Sequence, residues 1–222
     1  MNNNLIITIG RQFGSGGKAI AALVAERLGV PLYDDALLRQ AAVESGFDET
    51  IFKQADERRG IFSFSSVFGG SIGREEVFKI QSETIRRIAG RESAVIVGRC
   101  ANYVLRDRDN VLNVFVSAPL PVRVGRISDK RGIPAAEAEA VILDEDRKRE
   151  KYYDFFTFGH WGAASEYDLC IDSSVLTYDQ VAEFIVEVAR KRSVATCGGD
   201  VAGCAGEPVQ MGGERVSGQE ER

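Results

Sequence analysis

The amino-acid sequence predicts a three-layer α/β fold, in which helices cover both faces of a largely parallel β-sheet. Short apolar runs, typical of buried parallel strands, recur along the chain. Stretches with apolar residues at helical spacing separate these runs, and a glycine-rich turn directly follows the first run. Such alternation produces parallel strands joined by right-handed crossovers. A ligand is therefore expected at the carboxyl ends of the strands.

Local signals place five strands and the first two helices. The strands are predicted at residues 5–9, 30–33, 94–98, 111–118 and 167–172. The first helix follows the glycine-rich turn and ends at Gly29, because glycine is the usual residue after a helix. Asp34 or Asp35 is expected to cap the second helix.

The later helices follow from apolar spacing and from capping residues. They are predicted at residues 74–89, at 102–105 and from Pro134 towards residue 155. Thr177 and Gln180 have the spacing of a capping box, in which each side chain bonds to the backbone of the other residue. This box is expected to begin the last helix.

The chain of 222 residues is expected to form one domain, residues 1–193, followed by a tail. Residues 60–73 combine glycines and serines with Phe62, Phe64 and Phe68, and we expect a mobile lobe over a ligand there. The phenylalanines either stack on a base or bury the lobe itself. Residues 194–222 are rich in glycine and charge and lack periodicity, which predicts a disordered tail.

Composition and charge exclude several classes of protein. The net charge of −5 argues against a nucleic-acid-binding protein. No apolar run approaches the roughly 20 residues that span a bilayer, so a cytoplasmic location is expected. A single histidine and four cysteines without CxxC spacing argue against a metal cluster. Two cationic clusters, at residues 123–131 and 147–151, are either a binding surface for a small anion or two solvated helix faces.

The glycine-rich turn lies within "LIITIGRQFGSGGKAIAALVAERL", residues 5–28, and has the outline of a P-loop. The P-loop pattern GxxxxGK[ST] surrounds phosphates with backbone N–H groups, and its lysine reaches the outer phosphates. Lys18 fits that pattern, but Gln12 replaces its first glycine and Ala19 its magnesium-binding hydroxyl. Ser15 is the nearby hydroxyl that could replace it. The alternative is a tight turn without a ligand, but the position between a strand and a helix favours a phosphate site.

Further segments occur in a characteristic order: "VIVGRCANYVL", "VFVSAPLPVRVGRI" and "DRKREKYYDFFTFGHWGAASEYDLCIDSS". Together with the loop, they resemble the cytidylate kinase-like family, relatives of the bacterial CMP kinases, over about residues 5–192. The loop spelling with Gln12 and Ala19 is similar to one branch of this family. Both departures are therefore interpreted as a variant of the motif.

The resemblance implies a P-loop NTPase sheet of order 2-3-1-4-5, an acceptor-binding lobe and a closing lid, with ATP and Mg²⁺ as cofactors. It implies donor-phosphate binding by residues of the loop and first helical turn: Gly14, Ser15, Gly16, Gly17, Lys18 and Ala19. It assigns the acceptor to Asp34, Arg39 and Arg99. Val97 and Cys100 stand where the family's related segment has acids, which leaves the acceptor base open.

The second cationic cluster fits a lid, because phosphoryl transfer requires cations against the transferring oxygens. Arg147 and Arg149 are predicted to be catalytic, together with Lys18. The two arginines lie about 200° apart on an ideal helix, so one ligand meets both only if the helix bends or ends there. Arg147 is preferred, with Arg126 and Arg131 as further candidates.

Other polar and aromatic residues have structural interpretations. His160 and Trp161 either shape the lid or pack against it, and Asp168 and Asp172 are expected to have structural roles at the end of a strand.

The predicted activity is transfer of a phosphoryl group from ATP to a nucleoside monophosphate, with CMP or dCMP as the expected acceptor. Two alternatives remain open: a kinase of another small-molecule acceptor, and a nucleotide-binding regulatory module without efficient catalysis. The predicted partners are small nucleotides, with no nucleic acid and no membrane.

Overall fold

The computed structural model describes residues 4–48 and 71–197, with side chains described at 4–48 and 75–192. Its strands are β1 (Ile6–Arg11), β2 (Leu32–Tyr33), β3 (Ala94–Val97), β4 (Val111–Ser117) and β5 (Leu169–Asp172). Its α-helices are α1 (Gly17–Leu28), α2 (Asp35–Glu44), α3 (Ser71–Arg91), α4 (Ala101–Val104), α5 (Leu120–Arg131), α6 (Ala135–Thr157) and α7 (Tyr178–Cys197). A short 3-10 turn, Ala164–Glu166, precedes β5.

The described strands form one sheet in the order β2-β3-β1-β4-β5, with every neighbouring pair parallel. This confirms the predicted fold and strand order. Strand β1 lies at the centre, where Ile9 pairs with Val97 of β3 and Val114 of β4. The loop after β1 therefore emerges at the middle of the carboxyl edge, between the ends of β3 and β4.

Alternate residues of the strands supply two hydrophobic layers. On one face, Ile7 and Ile9 pack with Ile20 of α1 and Ile185 of α7. On the other face, Ile6 and Ile96 pack with helices α2, α3 and α4. These isoleucines are fully buried, and burying one such side chain contributes about 1.5–3 kcal/mol. The two layers hold the carboxyl edge of the sheet in a fixed position.

The boundaries expected for the lobe and for the tail differ from those in the structure. Residues 71–73, expected in the irregular lobe, are the first turn of α3, while Phe62, Phe64 and Phe68 lie outside the described residues. Helix α7 continues to Cys197, beyond the expected boundary at residue 193. Residues 198–222 of the expected tail also lie outside the described part.

Helix α5 was not predicted from the sequence. Its buried residues are Arg123 and Ile127, and Leu120 and Val124 pack beside Ile127 as partly buried side chains. Within the described ranges, no helix combines the length and apolar character needed to cross a bilayer.

Candidate functional site

The loop after β1 reaches α1 through two glycines with positive φ, Gly14 at 80° and Gly16 at 83°. Glycine is favoured at such angles because it has no Cβ. At Gly16, an added Cβ would also overlap the ring of Tyr178 at the start of α7. The chain can therefore enter α1 directly from the loop, with the first N–H groups of that helix at the carboxyl edge of the sheet. Such N–H groups attract anions.

The two unusual polar residues of the loop bond within the protein. The Gln12 side-chain oxygen accepts a hydrogen bond of 3.1 Å from the Ala118 N–H, at the end of β4. The Ser15 hydroxyl donates to the Gln12 carbonyl over 2.9 Å and accepts from the Gly17 N–H over 3.4 Å. Gln12 thus fixes the loop to the sheet. The buried Ser15 hydroxyl supports the turn through both of these bonds.

Lys18 and Asp34 connect the loop to α2. The Lys18 Nζ lies 2.7 Å from an Asp34 carboxylate oxygen, and the lysine side chain is 71% exposed. The other Asp34 oxygen accepts from the N–H groups of Ala36 and Leu37, which makes Asp34 the cap predicted for α2. The hydrogen bond from Lys18 lowers the pKa of Asp34 most, and the helix N–H groups lower it further. Asp34 is therefore an anion at neutral pH.

Arg99 follows β3 in a strained turn. Gly98, Arg99 and Cys100 have φ values of 74°, 56° and 54°, and such values are uncommon for residues other than glycine. Strained backbone of this kind clusters at functional sites. Arg99 lies 2.5 Å from the Asp35 carboxylate and over the ring of Tyr152, while the Arg39 Nε lies 3.6 Å from Asp35. The structure thus brings Arg39 and Arg99 together at α2.

Cys100, at a position where the family resemblance implies an acid, is buried. Burial raises the pKa of its thiol to about 12, so the side chain carries no charge at neutral pH.

The two arginines predicted for the lid differ in their contacts. Arg149 donates a 3.0 Å hydrogen bond to the Arg11 carbonyl, and its guanidinium lies 5.4 Å from the centre of the Phe13 ring. Burial lowers the pKa of Arg149. Arg147 is exposed, and α6 continues past both residues to Thr157 without ending between them. Arg149 is therefore the arginine of this pair that contacts the loop.

The first cationic cluster also contacts the loop. Arg126 donates to the Ser15 carbonyl over 3.3 Å and to the hydroxyl and carbonyl of Ser173 over 3.0 and 2.8 Å. It lies over the ring of Tyr178, and Arg131 lies over Phe13 at 5.3 Å. Arg126 is half-buried by its contacts, whereas Arg131 is exposed beside the Phe13 ring.

A charged pair that was not predicted from the sequence holds the loop from outside. The Phe13 N–H donates to Asp146 over 2.7 Å, and the Phe13 carbonyl accepts from Arg123 over 3.2 Å. Arg123 and Asp146 form a buried ion pair. We call these three residues the Phe13 clamp. Asp146 precedes Arg149 by three residues, which places both on one side of α6; that spacing was the available signal.

The remaining predicted residues have structural contacts. Trp161 packs against Phe115 at 5.4 Å, whereas His160 is exposed. Asp168 accepts from the Asn113 N–H over 2.7 Å, and Asp172 accepts from the Ser174 N–H over 2.8 Å. Both aspartates thus bond to backbone at the ends of β5.

Comparisons with known proteins agree with this architecture. The model of the cytidylate kinase-like family matches residues 6–175. A cytidylate kinase of Archaeoglobus fulgidus is 27% identical over 194 residues, covering 85% of this chain and 96% of that protein. One from Aeropyrum pernix is 28% identical over 184 residues, covering 82% and 96%.

Solved structures share the fold. An uncharacterized protein from Eubacterium ventriosum has a TM-score of 0.68 at 27% identity, covering 84% of this chain and 99% of that chain. A shikimate kinase from Bacteroides thetaiotaomicron has a TM-score of 0.51 at 17% identity, covering 84% and 98%, a likeness of fold alone. Because the family model matches most of the sequence, the chain belongs to the cytidylate kinase-like family of P-loop phosphotransferases.

Proposed function

We propose that the protein transfers the γ-phosphoryl group of ATP to a nucleoside monophosphate, with CMP or dCMP as the acceptor. The observation that carries this proposal is a pair of contacts at the start of α2. Lys18 of the loop contacts Asp34, and Arg99 contacts the next residue, Asp35. The lysine proposed to reach the donor phosphates and the arginine proposed to bind the acceptor phosphate thus contact two consecutive carboxylates. The cytidylate kinases of Archaeoglobus fulgidus and Aeropyrum pernix support the choice of CMP.

The reaction requires positioning and positive charge more than covalent chemistry by the protein. An oxygen of the acceptor phosphate attacks the γ-phosphorus, the bond to the β–γ bridging oxygen breaks, and ADP leaves with that electron pair. In the proposed complex, the Gly14–Gly17 backbone holds the donor phosphates and Lys18 stabilises the transferring charge. Arg99 and Arg39 hold the acceptor phosphate.

The lid is assigned to α6. Arg149 already contacts the Arg11 carbonyl beside the loop, so it is the arginine we place over the transferring group. Arg147 is retained as a second candidate on the exposed side of α6, where closure of the helix over a ligand would be needed to bring it into contact.

In the proposed complex, the nucleotide would supply most of the ligands of the magnesium ion. Ala19 offers no hydroxyl, and within residues 4–48 and 75–192 no three His, Cys, Asp or Glu side chains converge as a metal site. Asp34 is the ionised carboxylate beside Lys18. Mg²⁺ commonly keeps several waters and binds one or two carboxylates together with substrate phosphates. Asp34 is the residue that would hold it, and the ion would neutralise phosphate charge.

A coupled ADP-release assay across CMP, dCMP, UMP, AMP and GMP tests this proposal. We expect turnover with CMP or dCMP, and a kcat lower by about 100-fold or more in Lys18→Ala. The matched control is Lys191→Ala, which removes an exposed lysine paired with Glu187 on α7. Turnover of no monophosphate above the Lys18→Ala background would refute the nucleotide-kinase assignment. Activity restricted to AMP or GMP would refute the choice of CMP or dCMP as the acceptor, but not the nucleotide-kinase assignment.

A further inference from the structure

Arg11, the last residue of β1, has a side chain that runs along the site between the donor and acceptor regions. A Cβ added at Gly17, the first residue of α1, would lie 2.6 Å from the Arg11 Cβ. One added at Gly98, the residue before Arg99, would overlap the Arg11 guanidinium. The side chain therefore extends from the start of α1 to the end of β3. Because both positions are glycine, no other side chain occupies the space that the Arg11 side chain fills.

Two other arginines surround this guanidinium. Arg149 donates to the Arg11 carbonyl, and Arg99 directly follows Gly98. Burial lowers the pKa of Arg11 to about 9, and the charges of Arg149 and Arg99 contribute to this shift. Asp35 and Asp34 oppose it in part. Arg11 remains a cation at neutral pH, so three positive side chains lie near one another where the strands end.

The hydrogen bonds of Arg11 differ from those of the arginines that support the loop. A guanidinium has five N–H donors. Arg123 and Arg126 use theirs on loop and strand-end oxygens. Within the described part of the chain, the Arg11 guanidinium donates no hydrogen bond to protein. A partly buried cation that is repelled by its neighbours and whose N–H groups are unused by the protein is suited to an anionic ligand.

We propose that Arg11 is a catalytic residue that binds the oxygens of the phosphoryl group as it passes from donor to acceptor. Its side chain spans from the phosphate loop to the acceptor arginine, which is the path that the group follows. The planar guanidinium can hold two oxygens at once. Arg11 also adds a protein cation to a loop in which Ala19 lacks the usual magnesium-binding hydroxyl. The identity of the ligand rests on the proposed function, but the anion site does not.

Binding measurements on Arg11→Met test this role without requiring turnover. The probes are adenosine 5′-(β,γ-imido)triphosphate, which keeps a γ group, and ADP, which lacks one. By isothermal titration calorimetry we expect the triphosphate analogue to bind about tenfold or more weakly to Arg11→Met, the size of a lost charged hydrogen bond, with little change for ADP. The matched control is Arg106→Met, an exposed arginine that stacks on Tyr103 before β4, at the opposite edge of the sheet.

Thermal stability of the ligand-free protein separates a binding role from a structural one. If Arg11 serves to bind a ligand, its replacement removes a cation that neighbouring arginines repel, and the melting temperature of Arg11→Met should be unchanged or higher. If Arg11 has a structural role, the melting temperature should fall. If Arg11→Met is destabilised, Arg11→Lys provides the second variant, because it keeps a charge but loses the planar fork. We expect Arg11→Lys to bind the triphosphate analogue more weakly than the wild type.

Two results would overturn the inference. One is wild-type affinity for the triphosphate analogue in a stable Arg11→Met variant. The other is a destabilised Arg11→Met together with wild-type affinity in Arg11→Lys. A wild-type protein that binds the analogue but phosphorylates no monophosphate would refute the proposed function alone, since the Arg11 measurement depends on binding.

Discussion

At the scale of single residues, Gln12 departs from the P-loop pattern and acquires a structural contact. A glycine at this position would have no side chain to bond to the sheet. Gln12 instead accepts a hydrogen bond from the Ala118 N–H, where β4 ends and the chain turns towards α5. Its carbonyl also accepts from the Ser15 hydroxyl. The residue therefore fixes the loop at two points.

We expect Gln12→Ala to lower the free energy of unfolding by about 1 kcal/mol, because the Ala118 N–H loses its acceptor. Gln12→Glu keeps an acceptor oxygen and should retain more of that stability. It should also weaken ATP binding, because it adds a negative charge to the phosphate loop. Urea denaturation followed by circular dichroism measures the first effect and calorimetry the second. The control is Gln40→Ala, at an exposed position of α2; an equal loss in both alanine variants would contradict the structural role.

At the scale of secondary-structure elements, the start of α2 combines a helix cap with a charge. Asp34 accepts from the Ala36 and Leu37 N–H groups at 3.1 Å each and contacts Lys18 at 2.7 Å. The Lys18 contact, with the helix N–H groups, lowers the pKa of its carboxyl below the ordinary 3.8. The ionised form therefore stabilises the folded protein above the unfolded pKa, and this contribution is lost as the pH falls through the folded pKa.

Two variants separate these contributions. Asp34→Asn keeps a capping oxygen but removes the charge, whereas Asp34→Ala removes both and should cost about 1 kcal/mol more from the lost cap. The difference in unfolding free energy between wild type and Asp34→Asn should be largest near neutral pH. It should disappear as the pH falls below the folded pKa. Urea denaturation at a series of pH values measures both differences, and a wild-type advantage that grows towards acid pH would contradict the assignment.

At the scale of the whole molecule, the Phe13 clamp connects the first loop to two helices far along the chain. Arg123 of α5 and Asp146 of α6 bond to the two polar groups of the Phe13 backbone and to each other. Their side chains are only 7% and 15% exposed. Removing one partner of a buried ion pair leaves an uncompensated charge, so this pair should affect the stability of the whole domain.

We expect Asp146→Ala to lower the free energy of unfolding by about 3 kcal/mol. Arg123→Met should have a comparable effect. The double variant should cost less than the sum, because neither charge is then left without its partner. Urea denaturation of all four proteins completes the double-mutant cycle. Lys148→Ala, which removes only exposed ion pairs, should change stability by less than about 0.5 kcal/mol. Strictly additive losses would show that the pair is not coupled.

The sequence by itself determined the features that depend on neighbouring residues. Short apolar runs predicted the five strands, and the glycine-rich turn predicted the entry into α1. The capping box of Thr177 and Gln180 is present with hydrogen bonds in both directions. Asp34, one of two caps considered, is the cap observed. These signals are local, because helix caps, tight turns and strand patterns act over a few residues.

Only the tertiary structure decided which distant charges meet. Arg147 was preferred from the sequence, but the packing of α6 brings Arg149 to the carbonyl of Arg11, 138 residues away along the chain. The spacing of three residues before Arg149 was the local signal for Asp146, whereas the importance of Arg11 follows from what the folded chain places beside it. The sequence alone does not show which charged residues pair, because Coulomb interactions depend on distance and burial, and the fold sets both.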